Sequence, residues 1–237
     1  MNYRITYFQD LELIEYKKAW DYQEELFNEN LEKKTKNLKL PSEDKIQIKN
    51  FLLFCEHPHV FTLGKSGLEA NLLIKKENLI SKGVSFFKTN RGGDITYHGP
   101  GQIVAYPIID LENFSLTLRK YIFGLEEAII KTLDDYDISA SRFKGATGVW
   151  LDATIPHKAR KICAIGVRSS RWITMHGFAF NVNTDLNYYN YINPCGFTDK
   201  AVTSMEKELG AKQNLNEVKQ KLKSKLVDQF GMKFIQA

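Results

Sequence analysis

Between Thr89 and Leu111 the chain reads TNRGGDITYHGPGQIVAYPIIDL, a glycine-rich stretch that runs directly into an almost wholly apolar one. The apolar part, Gln102 to Ile109, predicts a central strand, and the glycines before it let the backbone approach a ligand closely. A strand of that kind has to be covered by other elements, and their patterns can be read on either side of it. Leu118, Ile122, Leu125, Ile129 and Leu133 recur every three or four residues, which predicts a helix over 115–134 packing by one face, slightly weakened by Gly124. Leu13, Tyr16, Trp20 and Phe27 fall near whole helical turns and predict an amphipathic helix over 10–30 whose stripe is core. Near the carboxyl terminus, Asn214-Leu215-Asn216-Glu217 has the form of a capping box, opening a helix with Leu215, Val218, Leu222 and Leu226 inward.

Strand signals complete the pattern. Phe51 to Cys55 is a short apolar run suited to a buried strand, and 149–151, 161–168 and 172–182 have strand composition. Ser169-Ser170-Arg171 is short enough to join the last two as a hairpin. Alternation places Lys161, Cys163 and Ile165 on one face, and Trp172, Thr174, His176, Phe178 and Phe180 on one face of the next strand unless a bulge breaks the register. Helices and strands mixed in this way specify an α/β (α+β) architecture.

At 237 residues, 43% hydrophobic and 26% charged, the chain is sized for one domain spanning 1–237, with an exposed charged loop near 33–50 rather than a linker. The first residues lack a secretion signal's apolar core, and no apolar run reaches membrane-spanning length, so a soluble, cytoplasmic protein is expected. Three cysteines, Cys55, Cys163 and Cys195, without a C-x-x-C pair encode neither a disulfide framework nor a structural zinc site. The net charge of +5 suits encounter with acidic partners but is no nucleic-acid-binding stripe. Lys219, Lys221, Lys223 and Lys225 read as the wet face of the last helix.

Chemistry centres on Cys195. Between Pro194 and Gly196 it sits in a conformationally special backbone, a sensible place for a nucleophile, although Pro-Cys-Gly alone favours a small buried thiol. A thiol with a pKa of about 8.5 is mostly protonated at neutral pH and needs a cationic neighbour to act. Lys161 can supply one, and a partly desolvated lysine can also relay protons from an attacking amine. By spacing alone, Lys161 in the run KARK reads as a solvated charge. His98 and His176, each preceding glycine, offer the competing cysteine–imidazole arrangement of thiol hydrolases. His57 and His59 lack the partners of a metal site and read as structural. The loop Arg91 to Gly101 lacks the ending of a P-loop and the helix start of a dinucleotide fingerprint. A glycine-rich wall beside Tyr97, Phe178 and Phe180 suits a narrow apolar tunnel for an acyl chain.

Three blocks taken together resemble the octanoyl-(acyl-carrier-protein):protein octanoyltransferase family, also called the lipoate-protein ligase B family. They are RGGDITYHGPGQ from Arg91, KICAIG from Lys161 with HGFAFNV from His176, and NPCG from Asn193. The resemblance spans about 51–204, and the charged stretch and last helix carry little of it. It implies a biotin/lipoate protein ligase catalytic-domain-like fold, a mixed β-sheet flanked by helices. It also implies transfer of an octanoyl group from octanoyl-acyl carrier protein, through a cysteine thioester, to a lysine of a lipoyl domain. The acceptors implied are the lipoyl domains of 2-oxoacid dehydrogenase complexes and the glycine cleavage H protein. No cofactor, metal, nucleic acid or membrane is called for, and a monomer is the working expectation.

By that resemblance Cys195 is the acyl-thioester nucleophile and Lys161 the residue that lowers its pKa. Substrate binding falls to Arg91, Gly92, Gly93, Asp94, Ile95, Thr96, Tyr97 and His98, to Ala164, Ile165 and Gly166, and to Gly177, Phe178 and Ala179. Asp94 adds a charge at a variable loop position, and Cys163 stands where a small residue such as alanine is usual. The rival readings are an ATP-dependent lipoate or biotin ligase, which needs no Cys195, and a non-catalytic carrier-binding module.

Overall fold

A computed structural model of the chain describes residues 4–193 and 200–236. Strand β1 (Ile5–Leu13) leads into helix α1 (Tyr16–Asn37), and β2 (Asn50–Glu56) and β3 (Val60–Leu63) follow. Next come α2 (Lys76–Ser81), β4 (Ser85–Lys88), β5 (Ile95–His98), β6 (Gln102–Ile108) and α3 (Leu118–Asp134). Then β7 (Ser141–Phe143), β8 (Ala146–Leu151), β9 (Arg160–Ser170) and β10 (Ile173–Asn181) form a run of strands. The chain closes with β11 (Ala201–Val202), α4 (Met205–Leu209), α5 (Leu215–Phe230) and β12 (Lys233–Gln236).

Among the described residues, nine strands form one mixed sheet in the order β12-β1-β2-β6-β10-β9-β8-β7, with β11 added alongside β9. The β6 run expected as a central strand lies inside this sheet, antiparallel to β2 on one side and to β10 on the other. Its side chains alternate between two cores, which is why the run is apolar throughout. Ile103 and Ala105 face α3 and α5, beside Leu125, Ile129 and Leu222. Val104, Tyr106 and Ile108 face α1, beside Ala19 and Phe27. A second sheet, β4-β3-β5, stands apart and carries the start of the glycine-rich stretch. No helix of the described residues is long and apolar enough to cross a membrane.

Several boundaries differ from the sequence reading. Residues 10–13 belong to β1, not to the first helix, and Leu13 is exposed. The strand is betrayed by alternation instead: Phe8 packs on one core, Tyr7 and Leu11 on the other. The charged 33–50 segment is not all loop, because α1 continues to Asn37 and β2 begins at Asn50. Within that helical end, Lys34 reaches the buried Asp110 carboxylate at 2.6 Å. Helix α3 starts at Leu118, where Thr117 Oγ1 accepts the Lys120 N–H. The β9–β10 turn is Arg171-Trp172, since Ser170 pairs with Ile173. Both turn residues have positive φ, +48° and +67°, the type I′ form that matches strand twist even though neither is glycine.

Helix α5 has the predicted cap, Asn214 Oδ1 accepting from Asn216 and Glu217 N–H, and Val218, Leu222 and Leu226 are fully buried. Its lysines are less free than a wet face implies. Lys219 is buried against Asp10 at 2.9 Å, Lys225 meets Asp135 at 2.9 Å, and Lys221 lies over the Tyr136 ring.

Candidate active site

The glycine-rich loop between β4 and β5 is pinned to β3 by its own arginine and reaches across to β9 of the main sheet. Arg91 is buried, and its guanidinium donates to Thr62 O at 2.6 Å, to Thr62 Oγ1 at 2.9 Å and to Gly92 O at 3.0 Å. The Gly92 N–H donates to Val167 O of β9 at 2.9 Å, which joins the two sheets. That approach requires glycine on the facing strand: a Cβ on Gly166 would meet Gly92 O at 2.7 Å. Gly177, opposite Gly166 in the β9–β10 ladder, is equally constrained, because a Cβ there would lie 2.1 Å from Ala105 O.

Where these segments meet, a cavity of about 570 Å³ opens. Arg91, Gly92, Gly93, Asp94, Ile95, Thr96 and His98 line it, together with Lys161, Ala164, Ile165, Gly166, Gly177, Phe178 and Ala179. Residues up to 88 apart in the chain, Arg91 and Ala179, are thus gathered around one space. Tyr97 is the exception. Strand alternation turns it away from the cavity, where it stacks on Tyr188 with centroids 4.9 Å apart and bonds His59 Nδ1 at 2.7 Å. Phe180, also expected on the tunnel wall, belongs to the core under α3 and α5.

Several wall residues were absent from the sequence reading. Leu118 and Ile122 line the cavity although their helical spacing marks them as core stripe, and Tyr16, from the α1 stripe, does the same. Gly145, Ala146, Thr147 and Trp150 come from β8 and the turn before it, and Lys200 to Val202 from the segment around β11. No local motif announces them; the helical stripes were the only signal, and periodicity cannot separate core from cavity wall.

The cavity has an open and a closed end. Leu118, Gly145, Thr147 and Ala201 are exposed, whereas Tyr16, Tyr106, His98 and His176 are buried. At the closed end the imidazoles are engaged in structure. His98 Nδ1 pairs with Gln102 Oε1 at 2.8 Å and its Nε2 with Thr62 Oγ1 at 3.2 Å, in the same network that holds Arg91. His176 Nε2 pairs with Asn90 Oδ1 at 2.6 Å, and its backbone takes φ +56° within β10. Burial pushes the His98 imidazole well below its usual range, and burial with Arg91 and Arg168 nearby holds His176 down to about 3. Both are neutral near pH 7 and far too weakly basic to activate a thiol there, which removes the physical basis of the thiol-hydrolase arrangement. His57, bonded to Ile14 O and Tyr106 Oη at 2.7 Å each, is structural.

Lys161 sits on the cavity wall with its ammonium 4.7 Å from the Trp150 ring centre. Cys195, its expected partner, lies outside the described residues. Asn193, just before that segment, donates its N–H to Asn71 O at 2.8 Å, and Asn71 Nδ2 donates to Asp94 Oδ2 at 2.6 Å. Asp94 is therefore a brace between the glycine loop and the stretch leading to Cys195. The two described cysteines, Cys55 and Cys163, are fully buried, and burial raises both thiols far above their ordinary pKa. Neither has the exposure or the thiolate character of a nucleophile. Among the described residues no three His, Cys, Asp or Glu side chains gather as metal ligands.

The model of the lipoyl protein ligase A/B catalytic domain matches residues 15–227. Proteins named octanoyltransferase match almost end to end. One from Cytophaga hutchinsonii is 54% identical over 94% of this chain and 92% of its own length. Another, from Flavobacterium psychrophilum, is 57% identical over 90% and 91%. The chain belongs to the octanoyltransferase family. Solved structures share its fold at low identity. An archaeal bipartite lipoate protein ligase from Thermoplasma acidophilum superposes with a TM-score of 0.70 at 14% identity, covering 98% of this chain and 86% of that one. A lipoate-protein ligase A bound with ATP gives 0.68 at 13%, covering 98% and 87%.

Proposed function

We propose that this octanoyltransferase-family member is an acyltransferase that takes an octanoyl group from octanoyl-acyl carrier protein onto Cys195 and passes it to a specific lysine of a lipoyl domain, the first step of endogenous protein lipoylation. The acceptors are lipoyl domains of 2-oxoacid dehydrogenase complexes and the glycine cleavage H protein, and the reaction takes place in the cytoplasm. The observation that carries the reading is the cavity itself. It gathers Lys161, the glycine loop and the two small-residue segments around a space walled by Val104, Ile122, Ile165 and Phe178. Such a wall suits an alkyl chain, and the polar groups near the mouth suit its carbonyl end.

In the first step the Cys195 thiolate attacks the thioester carbonyl, the carbonyl–sulfur bond to the carrier breaks, and the carrier thiolate takes a proton from the Lys161 ammonium, which is left as the neutral amine. In the second, the acceptor lysine's neutral amine attacks the acyl-enzyme, Cys195 leaves as thiolate, and the surplus amine proton passes to Lys161. A thioester is already activated, so the transfer requires no ATP. The ATP-dependent ligase reading draws on fold likeness at 13–14% identity and on a family model that spans both ligase types, whereas near full-length relatives at 54% and 57% identity are named octanoyltransferase.

The test is incubation of the full chain with octanoyl carrier protein in the absence of ATP, followed by intact and peptide mass spectrometry. One octanoyl mass on the Cys195 peptide, discharged by a lipoyl domain, is the expected result. Absence of the adduct, or transfer that depends on ATP or survives Cys195→Ala, overturns the reading.

A further inference from the structure

The cavity mouth is built from two elements that each carry a cation beside a lining residue. On α3, Leu118 and Ile122 line the cavity, and Arg119 stands exposed between them in sequence. On the β7–β8 turn, Gly145 to Thr147 line it and the exposed Lys144 precedes them. Neither Arg119 nor Lys144 has a carboxylate partner among the described residues. The acids nearest in sequence on α3 are taken up by another cation: Arg142 donates to Glu126 at 3.0 Å and Glu127 at 2.7 Å, and stacks on Phe123. The α5 lysines, by contrast, are engaged by carboxylates or rings. Two cations without a carboxylate partner thus adjoin lining residues of the mouth, and α3 also exposes the apolar side chains of Leu118 and Phe123.

We propose that Arg119 and Lys144, with the exposed Leu118 and Phe123 of α3, form the docking surface for the acidic carrier protein that presents the acyl thioester. The inference rests on the acyl-transfer reading above and adds to it where the donor protein binds. Complementary charges at an interface rim speed encounter and fix orientation, and two apolar side chains supply contact area that charge alone lacks. A thioester on a flexible arm then enters between α3 and the β7–β8 turn, the same gap that leads past Lys161 to the closed end.

The test compares the full-length wild type with the double variant Arg119→Glu/Lys144→Glu on two donors, octanoyl carrier protein and octanoyl-pantetheine, a small thioester with no protein surface. The expected result is a fall of about tenfold or more in kcat/KM for the carrier protein, with a flattened dependence on salt and unchanged turnover of octanoyl-pantetheine. The charge-conserving pair Arg119→Lys/Lys144→Arg keeps carrier kinetics near wild type, as does Lys223→Glu on α5. Equal loss on both donors places the effect on the site or the fold and overturns the docking surface. Unchanged kcat/KM for the carrier protein overturns it as well. Wild type that transfers from neither donor overturns the acyl-transfer reading; fluorescence titration of the carrier protein against both forms still decides docking, with equal affinities counting against it.

Discussion

The Lys161 ammonium rests 4.7 Å from the centre of the Trp150 ring, on the wall of the cavity rather than out in solvent. The ring face holds the cation electrostatically and limits how far the chain can swing. On the proposed chemistry that charge favours thiolate at Cys195, gives its proton to the departing carrier thiolate, and is restored by the amine proton in the second step. Lys161→Met, close in length but without charge, should therefore slow acylation of Cys195 by about 10²- to 10⁴-fold. It should also move the pH dependence of Cys195 alkylation by iodoacetamide to higher pH. An unchanged alkylation profile would remove Lys161 from the activation step.

Three buried imidazoles make the fold sensitive to acid. Burial drives His57 down to about 4 and, helped by nearby cations, His176 to about 3, while His98 lies well below its ordinary value. Unfolded, each has a pKa of about 6.5, so between the two values the unfolded chain binds protons that the folded chain refuses. Their contribution to stability is complete above about pH 6.5 and is lost as pH falls toward the folded values, each site contributing a slope of up to about 1.4 kcal/mol per pH unit. Urea midpoints should be flat from pH 8 to 7 and drop steeply from pH 6 to 4.5. Replacing His57 by Gln should shallow that acid limb while lowering the neutral-pH plateau through the lost bonds to Ile14 O and Tyr106 Oη. A limb of unchanged slope would show that His57 does not titrate on unfolding.

Gly166 faces the Gly92 carbonyl so closely that an added methyl would sit 2.7 Å from the oxygen and 3.2 Å from Arg91 Cδ. In Gly166→Ala the glycine loop has to move off β9, taking Arg91 and the cavity wall with it. Displacements of this size at a positioning loop cost on the order of 10²-fold in rate. Octanoyl transfer should fall accordingly, with a melting temperature lowered by only a few degrees because the main cores are untouched. A fully active Gly166→Ala variant would show that the close contact of the two strands is not needed for turnover.

What could be read from the chain before its structure follows from where the physical signal is local. The strand at β6 and the cap of α5 depend on neighbouring residues, and they appear where periodicity and capping chemistry place them. β1 was misread because Leu13, Tyr16 and Trp20 mimic helical spacing across a strand–helix junction, and only the Tyr7, Phe8 and Leu11 alternation marks the change. The cavity is the harder case. Leu118, Ile122 and Tyr16 are apolar stripe residues like those beside them, and whether such a residue meets another side chain or an empty space is decided by strands far away in sequence. Tyr97 fails for the opposite reason, since a motif residue inherits a role from its block while strand alternation points it elsewhere.

Gly124 gives the sharpest contrast between local and tertiary reasoning. Within α3 it is a weak helix former, and propensity alone makes Gly124→Ala stabilising by about 1 kcal/mol. In the fold it is buried where α3 crosses α5, and a methyl there would lie 2.6 Å from Phe230 Cε1 and 2.7 Å from Cζ. Phe230 has little room to yield, being nearly fully buried and packed against Tyr121 with centroids 5.8 Å apart. Overpacking of this kind costs about 1–3 kcal/mol, which exceeds the propensity gain. Gly124→Ala should therefore lower the melting temperature by a few degrees, each net kcal/mol corresponding to about 2–4 °C for a chain of this size. Phe230→Leu alone should also destabilise, by the smaller apolar area it buries. Combined with Gly124→Ala, though, it makes room for the methyl, so the double variant should be more stable than the sum of the two losses predicts. A double-mutant cycle that instead shows simple additivity would mean that the α3–α5 crossing relaxes by moving the helices apart, and that Phe230 is not what excludes a side chain at this position.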